Sequence, residues 1–187
     1  MKRIAMAMLM CLLVTCGICL GQQQPAPTDN GVYLQNGTGW DKLYVASISG
    51  VKASGAAKVM FSYGIASARS VMLFRDATAP IKTASMRPIF LVIGSNGTAP
   101  RDIVIVRLQQ KKDHRELSVG KANAYTGMKM EYSPADVTEV DVKDSKEGRL
   151  VTPRVDLTPG EYIIFAGSPS PLPNGYGGCD FSVVPSK

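Results

Sequence analysis

Histidine occurs once in the 187 residues, at His114, and tryptophan once, at Trp40; aromatic residues make up 7% of the chain. A zinc site takes three or four His, Cys or carboxylate ligands, and general acid–base catalysis usually recruits a histidine or a pair of carboxylates held in a cleft. Neither chemistry has much to draw on here. The patterns HExxH, GxSxG and GxxxxGK are absent, as is an EF-hand loop. The expectation is a protein that is not an enzyme and that uses no metal or cofactor. Cysteine is scarce where it would count: Cys11, Cys16 and Cys19 lie within the first 21 residues, which leaves Cys179 alone in the rest. A chain that loses those 21 residues can form no internal disulfide, and a lone cysteine is expected to act as a small buried hydrophobe.

Long runs of one charge are missing as well. The net charge is +6, and without Lys2 and Arg3 the remaining 19 Lys and Arg face 15 Asp and Glu, a charge of +4. This mild, interspersed excess describes a solvated surface and gives no ground for specific nucleic-acid binding. Helical periodicity is nearly absent. Its best candidate is "SPADVTE", where Ser133 caps a single helical turn with Pro134 at its first position and Asp136 completing a capping box.

What is present starts with "MKRIAMAMLMCLLVTCGICLG": two basic residues, an uncharged stretch from Ile4 to Leu20 and small Gly21. These are the parts of a secretory signal peptide spanning 1–21 and cleaved after Gly21, so the protein is expected to be exported to the periplasm or beyond the cell. Within it "LVTC" approaches a lipoprotein signal, with Thr15 where glycine, alanine or serine is usual. Membrane association therefore hangs on lipidation of Cys16, whose acyl chains would make a stable anchor. Residues 22–30, rich in Gln and Pro, read as a mobile leader, and a single domain is expected over 31–187.

From Gly31 onward, apolar runs of a strand's length recur between Gly, Pro, Asn and Ser, as in "PIFLVIG", "DIVIVRLQ", "RELSVG", "VTEVDV", "EYIIFAG" and "CDFSVV". That spacing predicts an all-β fold, an antiparallel immunoglobulin-like sandwich with a small strand-turn element at its start. In "DIVIVRLQ", Val104, Val106 and Leu108 point one way and Ile103, Ile105 and Arg107 the other, so both faces of this strand are expected to be largely covered. In "DVTEVDV", Asp136, Glu139 and Asp141 alternate with Val137, Val140 and Val142 as the outer face of one strand would. In "DLTPGEYIIF", Pro159 is expected at the first corner of a turn and Gly160, at positive φ, at the second, with Tyr162 at the corner between strands. The two "NGT" triplets place Asn36 and Asn96 at loop tips.

Taken together, "GVYLQNGTGWDKL", "RPIFLVIG", "DIVIVRLQQKKDHRELSVGKANAYTG", "VTPRVDLTPGEYIIFAG" and "GGCDFSV" resemble a group of exported bacterial β proteins that carry a Gly-x-Tyr/Trp element before a sandwich. The resemblance spans most of Gly31 to Val184 and implies an envelope or secreted β protein; it brings no activity with it.

Candidate contacts are few. Lys111, Lys112 and His114, in "QQKKDHREL", fall where a β-hairpin turns, and the group is read first as that turn and second as a polyanion contact. Tyr176, in the long "SPSPLPNGYGG" connection, is the candidate ligand contact. The function expected is a non-catalytic binding or structural module of the cell envelope whose partner is an envelope protein or glycan. A lipid-anchored envelope protein, a polyanion or glycan binder and a carboxylate-based hydrolase are the alternatives.

Overall fold

Alternation of apolar and polar residues puts one face of each segment in a core and the other toward solvent, and two such sheets stacked face to face make a sandwich. The protein, seen in a computed structural model, is built this way. The structure describes residues 25–55, 61, 68–94, 98–123, 127–129, 132–166 and 178–185, with the backbone alone over 121–123 and 127–129. Residues 1–21, expected to be a signal peptide, and Asn96 and Tyr176 lie outside the described residues. Among those described, no helix is long and apolar enough to cross a membrane.

Five strands make the smaller sheet. They are β1 (Gly31–Asn36), β2 (Gly39–Lys42), β6 (Phe90–Ile93), β11 (Val140–Asp144) and β12 (Arg149–Pro153), in the spatial order β11-β12-β6-β1-β2. The strand-turn element at the start of the domain is thus built into the sandwich, with β1 an inner strand. Asn36 and Gly39 pair across the hairpin tip, where Gly37 takes φ +57° as a tight turn requires. Of the 22–30 leader, the described part lies against this hairpin: Tyr33 donates its hydroxyl to the Asp29 carbonyl at 3.0 Å, and the Asp29 carboxylate pairs with Lys42.

The larger sheet has nine strands and runs β3 (Ile48–Ser54), β4 (Ala68–Arg75), β8 (His114–Asn123), β7 (Ile103–Gln110), β13 (Gly160–Ala166), β14 (Cys179–Val183), β5 (Lys82–Thr83). Two further short strands, β9 (Gly127–Lys129) and β10 (Val137–Thr138), pair with β8 and β7. Its described pairs are antiparallel apart from β14–β5.

Two cores result. The main one lies between the sheets, where Leu34, Phe90, Val92 and Val151 of the smaller meet Ile105, Tyr162, Ile164 and Phe181 of the larger. Phe181 is its centre, edge-on to Phe90 at 4.9 Å and stacked on Tyr162 at 5.5 Å. The second core lies on the opposite face of the larger sheet, which curls so that Met72, Phe74, Leu117 and Val119 meet Val106, Leu108, Ile163 and Phe165. Strands β7 and β13 are therefore covered on both faces, and the alternation of Ile103–Leu108 is divided between the cores as the pattern indicates.

Three local expectations are corrected. "SPADVTE" forms no helical turn: Pro134–Asp136 is a simple turn in which the Asp136 amide donates to the backbone carbonyl of Ser133 at 2.9 Å, because Val137 is drawn at once into pairing with Val106. The segment from Asp136 to Val142 is not one strand. The chain crosses between sheets at Glu139, so Val137 packs against the second core and Val140 joins the main one. Gly160 has φ +159°, extended backbone and not the left-handed corner of a turn. Its glycine identity answers a close approach instead, since a Cβ there would stand 3.1 Å from Nη2 of Arg107. That guanidinium donates to the Thr158 hydroxyl at 2.6 Å and the Pro159 carbonyl at 3.1 Å, and the Tyr162 hydroxyl donates back to the Thr158 carbonyl at 2.6 Å. The last bond makes a tyrosine corner of the kind found in immunoglobulin-like sandwiches.

Candidate functional site

The hairpin joining β7 and β8 turns at Lys112-Asp113, closed by the Lys111 amide donating to the His114 carbonyl at 2.8 Å. Lys111, Lys112 and His114 are thus gathered at one tip, together with carboxylates of their own. His114 holds Asp113 through Nδ1 at 2.6 Å and Glu116 through Nε2 at 2.9 Å, and Lys52 of β3 reaches across β4 to Glu116 at 2.5 Å. Glu116, and after it Asp113, raises the His114 pKa above its ordinary 6.5. An imidazole that bonds two carboxylates at once has to donate from both nitrogens, which only the protonated ring can do.

Because the folded pKa lies above the unfolded one, this pairing stabilises fully below about pH 6.5 and is lost as pH rises through the folded value. The melting-temperature difference between the parent and His114→Gln should be largest near pH 6 and should shrink on the alkaline side. Changing Lys111, Lys112 and His114 together to serine should cost no more than about 0.5 kcal/mol per site, as exposed turn positions do. A loss of several times that at neutral pH would show a structural role that the turn geometry does not supply.

One residue beyond His114 the chain turns inward. Arg115 is 2% exposed and faces Glu161 of β13 and Asp180 of β14, 5% and 4% exposed. Its Nη1 lies 2.6 Å from Asp180 and 3.7 Å from Glu161, an ion pair in which no N–H lines up on an oxygen. Nε and Nη2 donate to the carbonyls of Asp76 and Arg75 at 3.0 and 2.9 Å. Asp76 takes the left-handed conformation, φ +62°, as aspartate tolerates better than most residues. Glu161 accepts from the Ser182 hydroxyl and the Ala79 amide, each at 2.7 Å. The group lies at the hairpin end of the second core, its charged atoms turned toward one another. Among the described residues no three His, Cys, Asp or Glu side chains converge as metal ligands would.

Cys179, next to Asp180 in sequence, is buried on the other face of β14 in the main core, and burial first, then Asp180, pushes its thiol up to about 11. It should stay unmodified by a maleimide or disulfide reagent at pH 8 and react only on unfolding, because the thiolate is the reactive form. Labelling of the native protein at the rate of a free thiol would contradict this placement.

An open space occurs where β7 changes partner. Gln109 of β7 still pairs with Glu116 of β8, but Val106 pairs with Val137 of β10, and the Arg107 amide donates to the Asp136 carbonyl at 2.8 Å. The fork leaves a cleft of about 270 Å³ between the sheet and the 132–136 turn. Arg69 of β4, Gln109, and Ser118 and Gly120 of β8 make one wall; Tyr132, Ser133, Pro134 and Asp136 make the other. Tyr132 stacks on Phe165 at 5.5 Å, and burial pushes its hydroxyl to about 12, so it is a neutral hydrogen-bonding group. Among the described residues neither Arg69 nor Asp136 has an ion-pair partner. A second, more apolar groove of about 400 Å³ lies where Pro25 and Ala26 pass Trp40, Leu91 and Leu150 on the outer face of the smaller sheet.

Of the acids in the 136–141 stretch, only Asp136 lines the cleft; Glu139 and Asp141 are exposed and both pair with Arg154. Sequence reasoning did not single out Arg69, Gln109, Ser118 or Tyr132, and no local pattern could have done so, since β7's change of partner brings them together. No protein-family model matches the chain, and neither the curated proteins nor the solved structures yield a match.

Proposed function

We propose that the protein is an exported, non-catalytic binding module of the cell envelope and that the cleft at the β7 fork is where it binds. The observation that carries this reading is the pair of opposite charges, Arg69 and Asp136, which line one polar cleft and, among the described residues, have no ion-pair partner. Surface charges of opposite sign that do not satisfy each other are available to a ligand. The walls of the cleft belong to the sheet and to a turn tied to β7, so the site is held on a stiff frame and needs little ordering on binding. Export is supported by the basic-apolar-small pattern of residues 1–21 and by the resemblance to exported β proteins.

Two measurements test it. Intact mass of the protein recovered from an envelope fraction should begin at Gln22; a mass beginning at an acylated Cys16 would make it a lipid-anchored member of the same class. Titrating isotope-labelled protein with a dialysable envelope extract should shift the amides of Arg69, Gln109, Ser118 and Asp136 while those of β11 and β12 stay still, and the extract should be recovered chemically unchanged. Shifts elsewhere only, or cleavage of the extract, would refute the reading.

A further inference from the structure

The geometry of this cleft points to a neutral sugar residue as its ligand, an assignment that rests on reading the cleft as the binding site. Among the described residues that line it, the charges cancel: one guanidinium, one carboxylate. A polyanion would leave Asp136 facing like charge, and a cationic ligand would do the same to Arg69. The other polar groups, the Gln109 amide and the hydroxyls of Ser118, Ser133 and Tyr132, are neutral and both donate and accept. A ligand that matches them has several neutral groups that also do both, spaced around a small frame, as the hydroxyls of a pyranose are. Arg69, Gln109 and Asp136 end in planar groups able to hold two neighbouring hydroxyls at once. Beside them the Tyr132 ring, backed by Phe165 at 5.5 Å, supplies a fixed apolar surface for the C–H face of such a ring. The volume, about 270 Å³, lies just under the ~300–1,000 Å³ range of pockets for drug-sized ligands, which suits one ring and its substituents. Because the cleft is open along the fork, that ring can belong to a longer chain.

The test uses the full chain and defined probes. Glucose, galactose, N-acetylglucosamine and the disaccharides cellobiose and chitobiose are titrated into isotope-labelled protein, with dialanine and a heparin tetrasaccharide as the zwitterionic and polyanionic comparisons. At least one neutral saccharide should bind saturably with amide shifts centred on Arg69, Gln109, Ser118 and Asp136, unaffected by raising salt. Arg69→Ala and Asp136→Asn should each weaken it about tenfold or more, the loss of one hydrogen bond to a charged group, and Lys112→Ala should leave it unchanged. Shifts at the cleft with dialanine alone would overturn the sugar assignment and leave the cleft as the binding site. Salt-sensitive heparin binding that disappears in Lys112→Ala would move the site to the hairpin tip. If no probe shifts the cleft while the envelope extract does, the sugar assignment falls by itself; if neither does, both readings fall.

Discussion

Replacing Arg115 with methionine is expected to destabilise the protein by about 3–5 kcal/mol, a large part of a domain's total stability. The side chain is 2% exposed, and its removal leaves the carboxylates of Glu161 and Asp180 buried without a counter-charge and the carbonyls of Arg75 and Asp76 without their donors. The loss would come mainly from those orphaned groups and much less from the missing attraction. Adding Glu161→Gln and Asp180→Asn to Arg115→Met should therefore recover part of the loss, since neutral amides cost less to bury than ions. Urea denaturation of the single and the triple variant settles it. A triple variant less stable than Arg115→Met would mean that the carboxylates are not strained by losing the guanidinium.

A comparable loss, about 3–5 kcal/mol, is expected for Phe181→Ala. Phe181 is fully buried and joins the layers, touching Phe90 from the smaller sheet and Tyr162 from its own. Truncation removes both aromatic contacts and opens a cavity that β13 and, across the core, β6 cannot close, because each of these is held by pairing on both sides. Phe181→Leu, which keeps most of the volume, should cost markedly less. Equal melting temperatures for the alanine and leucine variants would show that the main core collapses around the site and that the residue does not join the layers. A drop for Phe181→Ala that also released Cys179 to thiol reagents in the native buffer would locate the loosening on β14.

The all-β sandwich was legible because its information is local. Alternation in Ile103–Leu108 assigns two faces to β7 directly, and "TPGEY" places a tyrosine where its hydroxyl can reach the backbone of the preceding turn. Arg115 shows where such reading stops. In sequence it sits among Lys, Asp, His and Glu and looks solvated; its burial depends on Glu161 and Asp180, which only the tertiary pairing of β8, β13 and β14 brings near. Glu139 is similar: alternation continues smoothly through it because the chain stays extended while passing from one sheet to the other. Gly160 misled for a different reason, as a glycine after proline usually marks backbone freedom, and here it makes room for the guanidinium of Arg107. The cleft was invisible for the same reason as the ion cluster, with walls drawn from residues 69, 109, 118 and 132–136 that no window of sequence contains.

The place of Phe181 in the chain has a consequence for biosynthesis. The main core needs β14, Cys179–Val183, whose Phe181 fills its middle, while the smaller sheet needs β1, Gly31–Asn36, as an inner strand. A polypeptide emerging amino end first can pair β1 with β6 early, but it cannot close the space between the sheets until residue 183 has left the ribosome. With its contacts so far apart in sequence, such a chain folds slowly as well as late. The space between the sheets is therefore the last part of the fold to close, and full stability arrives only when nearly the whole chain has been made.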